Sequence, residues 1–390
     1  MQPSWSPDGR RIAYWRVRAG SAQREIWTLP AAGGEPELAV AGKAAELLWC
    51  PVWSPEGRHL YFAADRSGAM GLWRVRIDAR SGAVRSEPQQ ILVPATWSAL
   101  PSLSADGRIA FVRQEERSRL VRATFDPALD PTGSLRELPL GARSVGSAHV
   151  SADGRWLVYA TTQPQEDLFL MDTASLREER LTDDAVRDRV PRWSAPGRRI
   201  VFYSERGGEG YEAWVWRRGA PLERLTAFPE KVLEPVVSPD GTLLAASLDF
   251  HGPFLIDLRK PLTERAARPL QTAGGATPPP FGATSWSPDG RHLAGFDEQG
   301  RIVLYSFATR RLDVLAERGT LATWLGDNRT LLFLRGGALW ALDTATRRAR
   351  EVLTPPADAA FSWFTTTPDG RDVFLVQRRG EADLGMLTLR

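Results

Sequence analysis

The stretch Trp5-Ser6-Pro7-Asp8-Gly9-Arg10-Arg11-Ile12-Ala13-Tyr14 sets a serine, a carboxylate and a glycine almost in a row. Such a group is either a piece of chemistry or a corner of the backbone. Its recurrence decides between the two. The pattern returns as WSPEGRHLYF at 53–62, LSADGRIAFV at 103–112, VSADGRWLVY at 150–159 and WSAPGRRIVF at 193–202. It continues as VSPDGTLLAA at 237–246, WSPDGRHLAG at 286–295, a degenerate WLGDNRTLLF at 324–333 and TTPDGRDVFL at 366–375. The turn glycines Gly9, Gly57, Gly107, Gly154, Gly197, Gly241, Gly290 and Gly370, with Asn328 standing in once, therefore recur about every 45 residues. An active site is not copied in this way. Pro sets φ for the first corner, Asp bonds its own backbone, and Gly accepts the positive φ that ends a turn.

The remainder of each period reads as short strands. In the fifth unit strands are expected at 190–193, 199–204, 211–217 and 222–225, separated by Ala-Pro-Gly, Arg-Gly-Gly-Glu-Gly and Arg-Gly-Ala-Pro. Four strands per period is the mark of a propeller blade. The tryptophans keep the same register: Trp5, Trp53, Trp193 and Trp286 precede the first turn, and Trp27, Trp73, Trp214 and Trp340 fall in third strands. Large flat side chains at equivalent sites are expected to pack sheet against sheet. The predicted fold is all-β, a β-propeller of four-stranded antiparallel blades with about eight blades. It has nine repeat copies, roughly 1–47, 48–97, 98–143, 144–187, 188–231, 232–281, 282–318, 319–358 and 359–390, the last with three strands. Ring closure stays open between an eight-bladed ring with a leftover unit, a nine-unit ring and part of a longer array.

Composition narrows the class. Hydrophobic residues make up 43% and charged residues 25% of the 390, as in a globular domain. No apolar run approaches the length of a membrane helix, and MQPSWSPDGRR lacks the apolar segment of a signal peptide. The net charge is +3, nearly all of the positive charge is arginine, and Lys occurs only at 43, 231 and 260. Arginines alternate with acids instead of clustering, so direct nucleic-acid binding is not expected. Cys50 is the single cysteine, which rules out an internal disulfide and a cysteine metal cluster.

The unit Pro-x-Trp-Ser-Pro-Asp-Gly-x-x-Ile-Ala-Phe with a closing Leu-Thr resembles the TolB-like β-propeller repeat. The fullest match is RLT at 180–182, then DRVPRWS at 188–194 and IVFYSER at 200–206. The resemblance covers the whole chain and implies that first strands line a central channel, with the preceding loops at one mouth. The family often carries an acid three residues before the first-strand proline; Asp188 matches, while Leu48, Ser98 and Val232 stand at the equivalent places. The long hairpins at 75–90 and 124–135 resemble the propeller regions of bacterial chains with a Ser/Thr kinase or winged-helix domain. Such propellers also act as periplasmic partners in envelope complexes.

Chemical motifs are sparse. There is no Gly-x-Ser-x-Gly elbow, no strand–helix alternation, and no kinase lysine strand, H-R-D or D-F-G. His59 and His292 share one repeat position after a turn, His149 lies in a first strand, and Asp249 with His251 forms the one local acid–base candidate. No cofactor and no metal site are expected. The first reading is a non-catalytic scaffold that binds another protein or a small ligand through channel-mouth loops. The binding candidates come from the charged loop at 182–192: Asp188, Arg189 and Arg192, with Glu234 in the matching place of the next unit. A sensory half of a kinase or winged-helix regulator is the alternative, and a propeller hydrolase or lyase the third. No membrane insertion is expected. The chain is expected to begin inside a larger protein and then to be periplasmic or extracytoplasmic; with Met1 as true start it would be cytoplasmic.

Overall fold

The Ser-Pro-Asp-Gly stretch is a backbone corner held by one repeated hydrogen-bond set. Ser6 Oγ donates to Asp8 at 2.7 Å and accepts the Arg11 N–H at 2.9 Å. Ser238 with Asp240 and Leu243, Ser287 with Asp289 and His292, and Thr367 with Asp369 and Asp372 repeat the arrangement. The hydroxyl donor beside each of these aspartates holds its carboxyl below the ordinary range. The computed structural model describes all residues except 1–2, 19–22, 43–45, 67–69, 93–96, 164, 195–198, 208–209 and 389–390. The Ala-Pro-Gly turn with Gly197 lies outside the described residues.

The turns join strands, most of them five to eight residues long, into antiparallel sheets. In the fifth repeat the strands are Asp188–Ser194, Arg199–Ser204, Glu212–Arg217 and Glu223–Arg224, within two residues of expectation. Among the described residues there are seven four-stranded sheets, one five-stranded sheet and a single short 3-10 turn, Leu262–Glu264. The expected all-β architecture of four-stranded antiparallel blades is present. Trp53, Trp286 and Trp324 are buried within it, whereas Trp5 is 60% exposed.

Contacts divide the chain into two compact units. One holds 1–116 with 380–390, the other 117–379. The first has two complete sheets, built on Leu48–Trp53 and on Arg11–Val17, and the strand Trp97–Leu103. Its core runs through Ile26, Leu48, Leu60 and Phe62.

The second unit has six sheets. Their first strands are Ser144–Val150, Asp188–Ser194, Val232–Val237, Phe281–Trp286, Thr320–Trp324 and Ala360–Thr366. Each touches the next, and the last touches the first, so the six close a ring around a central channel. Closure departs from the repeat order. The final sheet takes Ala360–Thr366 and the start of Asp372–Thr388 from the last repeat, then the end of Arg108–Thr124 and Arg136–Glu137 from the third. Val121, Ala123 and Phe125 pack there with Phe361, Phe364, Val373 and Leu375. Arg108–Thr124 and Asp372–Thr388 are each 17 residues long and lie side by side. The third and ninth repeats therefore exchange strands. A reason is visible in the sequence: QEERS at 114–118 has no Gly, Pro, Asn or Asp to bend a hairpin, so the strand runs on.

Candidate binding site at a channel mouth

The first strands of the six-sheet unit are not regular. Strand register slips between Arg189 and Arg192, between Leu233 and Val236, and between Thr320 and Thr323. At each slip one residue takes a left-handed backbone: Val190 at φ 49°, Glu234 at φ 51° and Leu321 at φ 57°. These are β-bulges, which turn side chains away from the regular alternation. Proline follows Val190 and Glu234 and has no N–H to lose from the ladder. A β-branched residue such as Val190 rarely adopts positive φ, and strain of this kind gathers at functional positions.

The bulge at 189–192 sends three neighbouring side chains to different places. Arg189 stays partly exposed, and its Nη2 donates to Glu166 Oε1 at 2.7 Å while Nε also bonds that carboxylate. Its guanidinium lies 5.4 Å from the Tyr211 ring centre, and the Glu166 charge holds its proton more firmly than usual, against the cost of burial. Tyr203 and Tyr211 meet edge to face at 5.2 Å. Burial raises both phenols, Tyr203 to about 12. Val190, Leu233 and Trp363 complete an apolar cluster with them. Trp363 is oriented by its Nε1–H, which donates to the Ala148 carbonyl at 2.8 Å. Beside this cluster opens a recess of about 190 Å³, walled by Gly146, Thr162, Glu166, Arg189, Val190 and Trp363.

Arg192 turns inward. It is buried and donates from Nη1 to the Thr284 carbonyl at 3.0 Å, with Trp363 at 5.5 Å. Its Nε has no partner among the described residues. Glu234 shares this interior; burial raises its carboxyl, and the Arg192 charge opposes the rise. His149 lies close by and accepts the Trp193 N–H through Nδ1 at 3.3 Å. Burial, then the Arg192 charge, lowers its imidazole to about 3, so it is neutral at ordinary pH.

Asp188 is fully buried and paired to Arg206 at 2.6 Å. The structure thus brings Arg192, Glu234 and His149 together, and of the four loop candidates Arg189 is the one that lines the recess beside Trp363. Asp249 bonds the Lys231 N–H at 3.1 Å, and no hydrogen bond joins it to His251 among the described residues. Glu166, Tyr203, Tyr211, Thr284 and Trp363 were not singled out from sequence. The one sequence signal nearby is the proline inside the first strands at 191 and 235, which announces the bulge but not these neighbours.

Nine copies of the turn motif in the sequence, and eight antiparallel sheets among the described residues of which seven have four strands, settle the architecture. The blades are those of a β-propeller. No protein-family model matches it. It is similar to the uncharacterized protein Atu1656 of Agrobacterium fabrum, 26% identical over 275 residues, which are 66% of this chain and 87% of that one. It is also similar to the uncharacterized peptidase YuxL of Bacillus subtilis, 24% identical over 139 residues. That match takes in 34% of this chain but only 21% of the peptidase. Among solved structures, TolB of Acinetobacter baumannii aligns with 98% of this chain and 67% of its own at 14% identity and TM-score 0.29. Among the described residues no group of three or more His, Cys, Asp or Glu side chains is placed to hold a metal, and no helix is long and apolar enough to cross a membrane.

Proposed function

We propose that this propeller is a non-catalytic scaffold that binds a partner protein at the channel mouth of its six-sheet unit, with Arg189 as the rim residue that meets the partner. The observation that carries this is the recess beside Trp363. It is apolar on the Trp363 and Val190 side, rimmed by the Arg189–Glu166 ion pair, and about the size of one large side chain. Such a cup takes an aromatic or aliphatic anchor, while the ion pair offers charge at its edge. Behind the recess Arg192 is buried, 5.5 Å from the Trp363 ring. The bulged backbone holds these groups rigidly, which lowers the ordering cost of binding. The family resemblance supports an extracytoplasmic bacterial setting for such a scaffold.

The test is selection of random peptides on the full chain, with counter-selection on Trp363→Ala. The expected result is a consensus with one aromatic or aliphatic anchor. Peptides without a consensus, or a consensus that Trp363→Ala binds equally, would refute the reading.

A further inference from the structure

A second recess lies on the outer strands of the same unit, away from the channel. It measures about 560 Å³ and runs between the sheet holding His251–Asp257 and the sheet holding Ile302–Ser306. Its walls are Leu243, Leu255, Leu270 and Phe307. Its edge carries Arg259, Lys260, Arg268 and Arg310 against one carboxylate, Asp257. That carboxylate is already held by Arg259 through two bonds, at 2.9 and 2.8 Å. The Arg259 bonds lower its carboxyl strongly. The side chains of Lys260, Arg268 and Arg310 have no hydrogen-bond or ion-pair partner among the described residues. Three cations without such a partner among the described residues thus gather around one apolar groove.

The aromatic surface is committed within the wall. Phe307 stacks on Trp286 at 5.0 Å and 2°, and Tyr305 stands across Phe307 at 84°. Tyr305 is in turn fixed by its hydroxyl, which donates to the Gln271 carbonyl at 2.6 Å. No open ring face is offered to a nucleic-acid base, and the floor is aliphatic. Sequence-tolerant nucleic-acid sites rely on such open faces. A groove that is apolar below and cationic above complements a chain with the opposite dressing.

We propose that this groove binds an acidic segment of a partner protein, an extended stretch in which carboxylates alternate with an apolar anchor. The anchor would lie on Leu255 and Leu270, and the carboxylates would meet Lys260, Arg268 and Arg310. The inference goes beyond the channel-mouth reading and does not depend on it.

The test uses the full chain and a short fluorescein-labelled peptide alternating Glu and Leu, read by fluorescence anisotropy. A Gln–Leu peptide and a single-stranded oligonucleotide of matched charge are the comparisons. The expected result is binding of the Glu–Leu peptide that weakens with salt and falls about tenfold or more in the Arg268→Glu, Arg310→Glu double variant. Both residues are exposed, so the variant is expected to keep the wild-type circular dichroism, and Trp363→Ala is expected to bind the peptide normally. Absence of binding, equal binding by a folded double variant, or an oligonucleotide that binds as well as the peptide would each overturn the proposal.

Discussion

Arg192 reaches the Thr284 carbonyl at 3.0 Å although a whole sheet, the one built on Val232–Val237, stands between theirs in the ring. A single side chain thereby ties the second sheet of the unit to the fourth through its centre. The guanidinium shares this interior with Glu234; burial weakens its hold on its proton, and the Glu234 charge opposes that in part.

Removing one member of this set leaves the others buried without a partner. Arg192→Met is expected to lower stability by about 3 kcal/mol in urea unfolding. Combining it with Glu234→Gln should cost clearly less than the sum of the two single changes. Strict additivity would show that the two side chains do not interact.

The imidazole of His149 titrates near 3 in the folded chain, against about 6.5 when unfolded. Between these values the unfolded chain binds a proton that the folded chain refuses. Stability therefore falls as pH drops from about 6.5 toward 3, and this contribution is fully present above 6.5. His149→Asn should flatten the dependence over that window in denaturant titrations at stepped pH. An unchanged slope would remove His149 from the account.

The repeated corner makes a prediction that compares two glycines. Gly290 sits at φ 71°, and a Cβ there would meet only Pro239 Cδ at 3.9 Å, an ordinary contact. Gly290→Ala should cost about 1 kcal/mol through the backbone alone. Gly133, which has open space and no left-handed backbone, should accept Ala with little change. Ser287→Ala removes the bonds to Asp289 and to the His292 N–H and should cost about 1 kcal/mol as well. Thermal melts of the three variants check the ranking.

Five sheets of the six-sheet ring lie wholly within 117–379, and the closing sheet takes from that span the end of Arg108–Thr124, Arg136–Glu137, Ala360–Thr366 and the start of Asp372–Thr388. A chain of those residues alone is expected to unfold in one cooperative step, with matching transitions by circular dichroism and tryptophan fluorescence. A broad or absent transition would mean that the ring needs residues outside that span.

Much of this architecture was legible in the order of residues. Ser287, Pro288, Asp289 and Gly290 act within five positions of one another, so their turn needs nothing distant. The strands on either side follow, because alternating apolar residues between such turns have only one way to bury a face. The charged loop at 182–192 was visible too, but not the fate of its members. Asp188 was engaged by Arg206, Arg192 was drawn into the channel, and Arg189 was left at the rim. A one-residue bulge makes that difference, since it reverses which face each following side chain meets.

What the sequence by itself determined is local: the corners, the strand period, the all-β class and the blade of four strands. The tertiary structure alone decided three things. Strands 117–124 and 372–379 became partners across the length of the chain, six sheets closed a ring, and His149, Arg192, Glu234 and Thr284 met at its centre. The physical reason is range. A turn is stabilised by bonds between residues a few positions apart, whereas pairing of distant strands and burial of charge depend on neighbours that only the folded chain brings together.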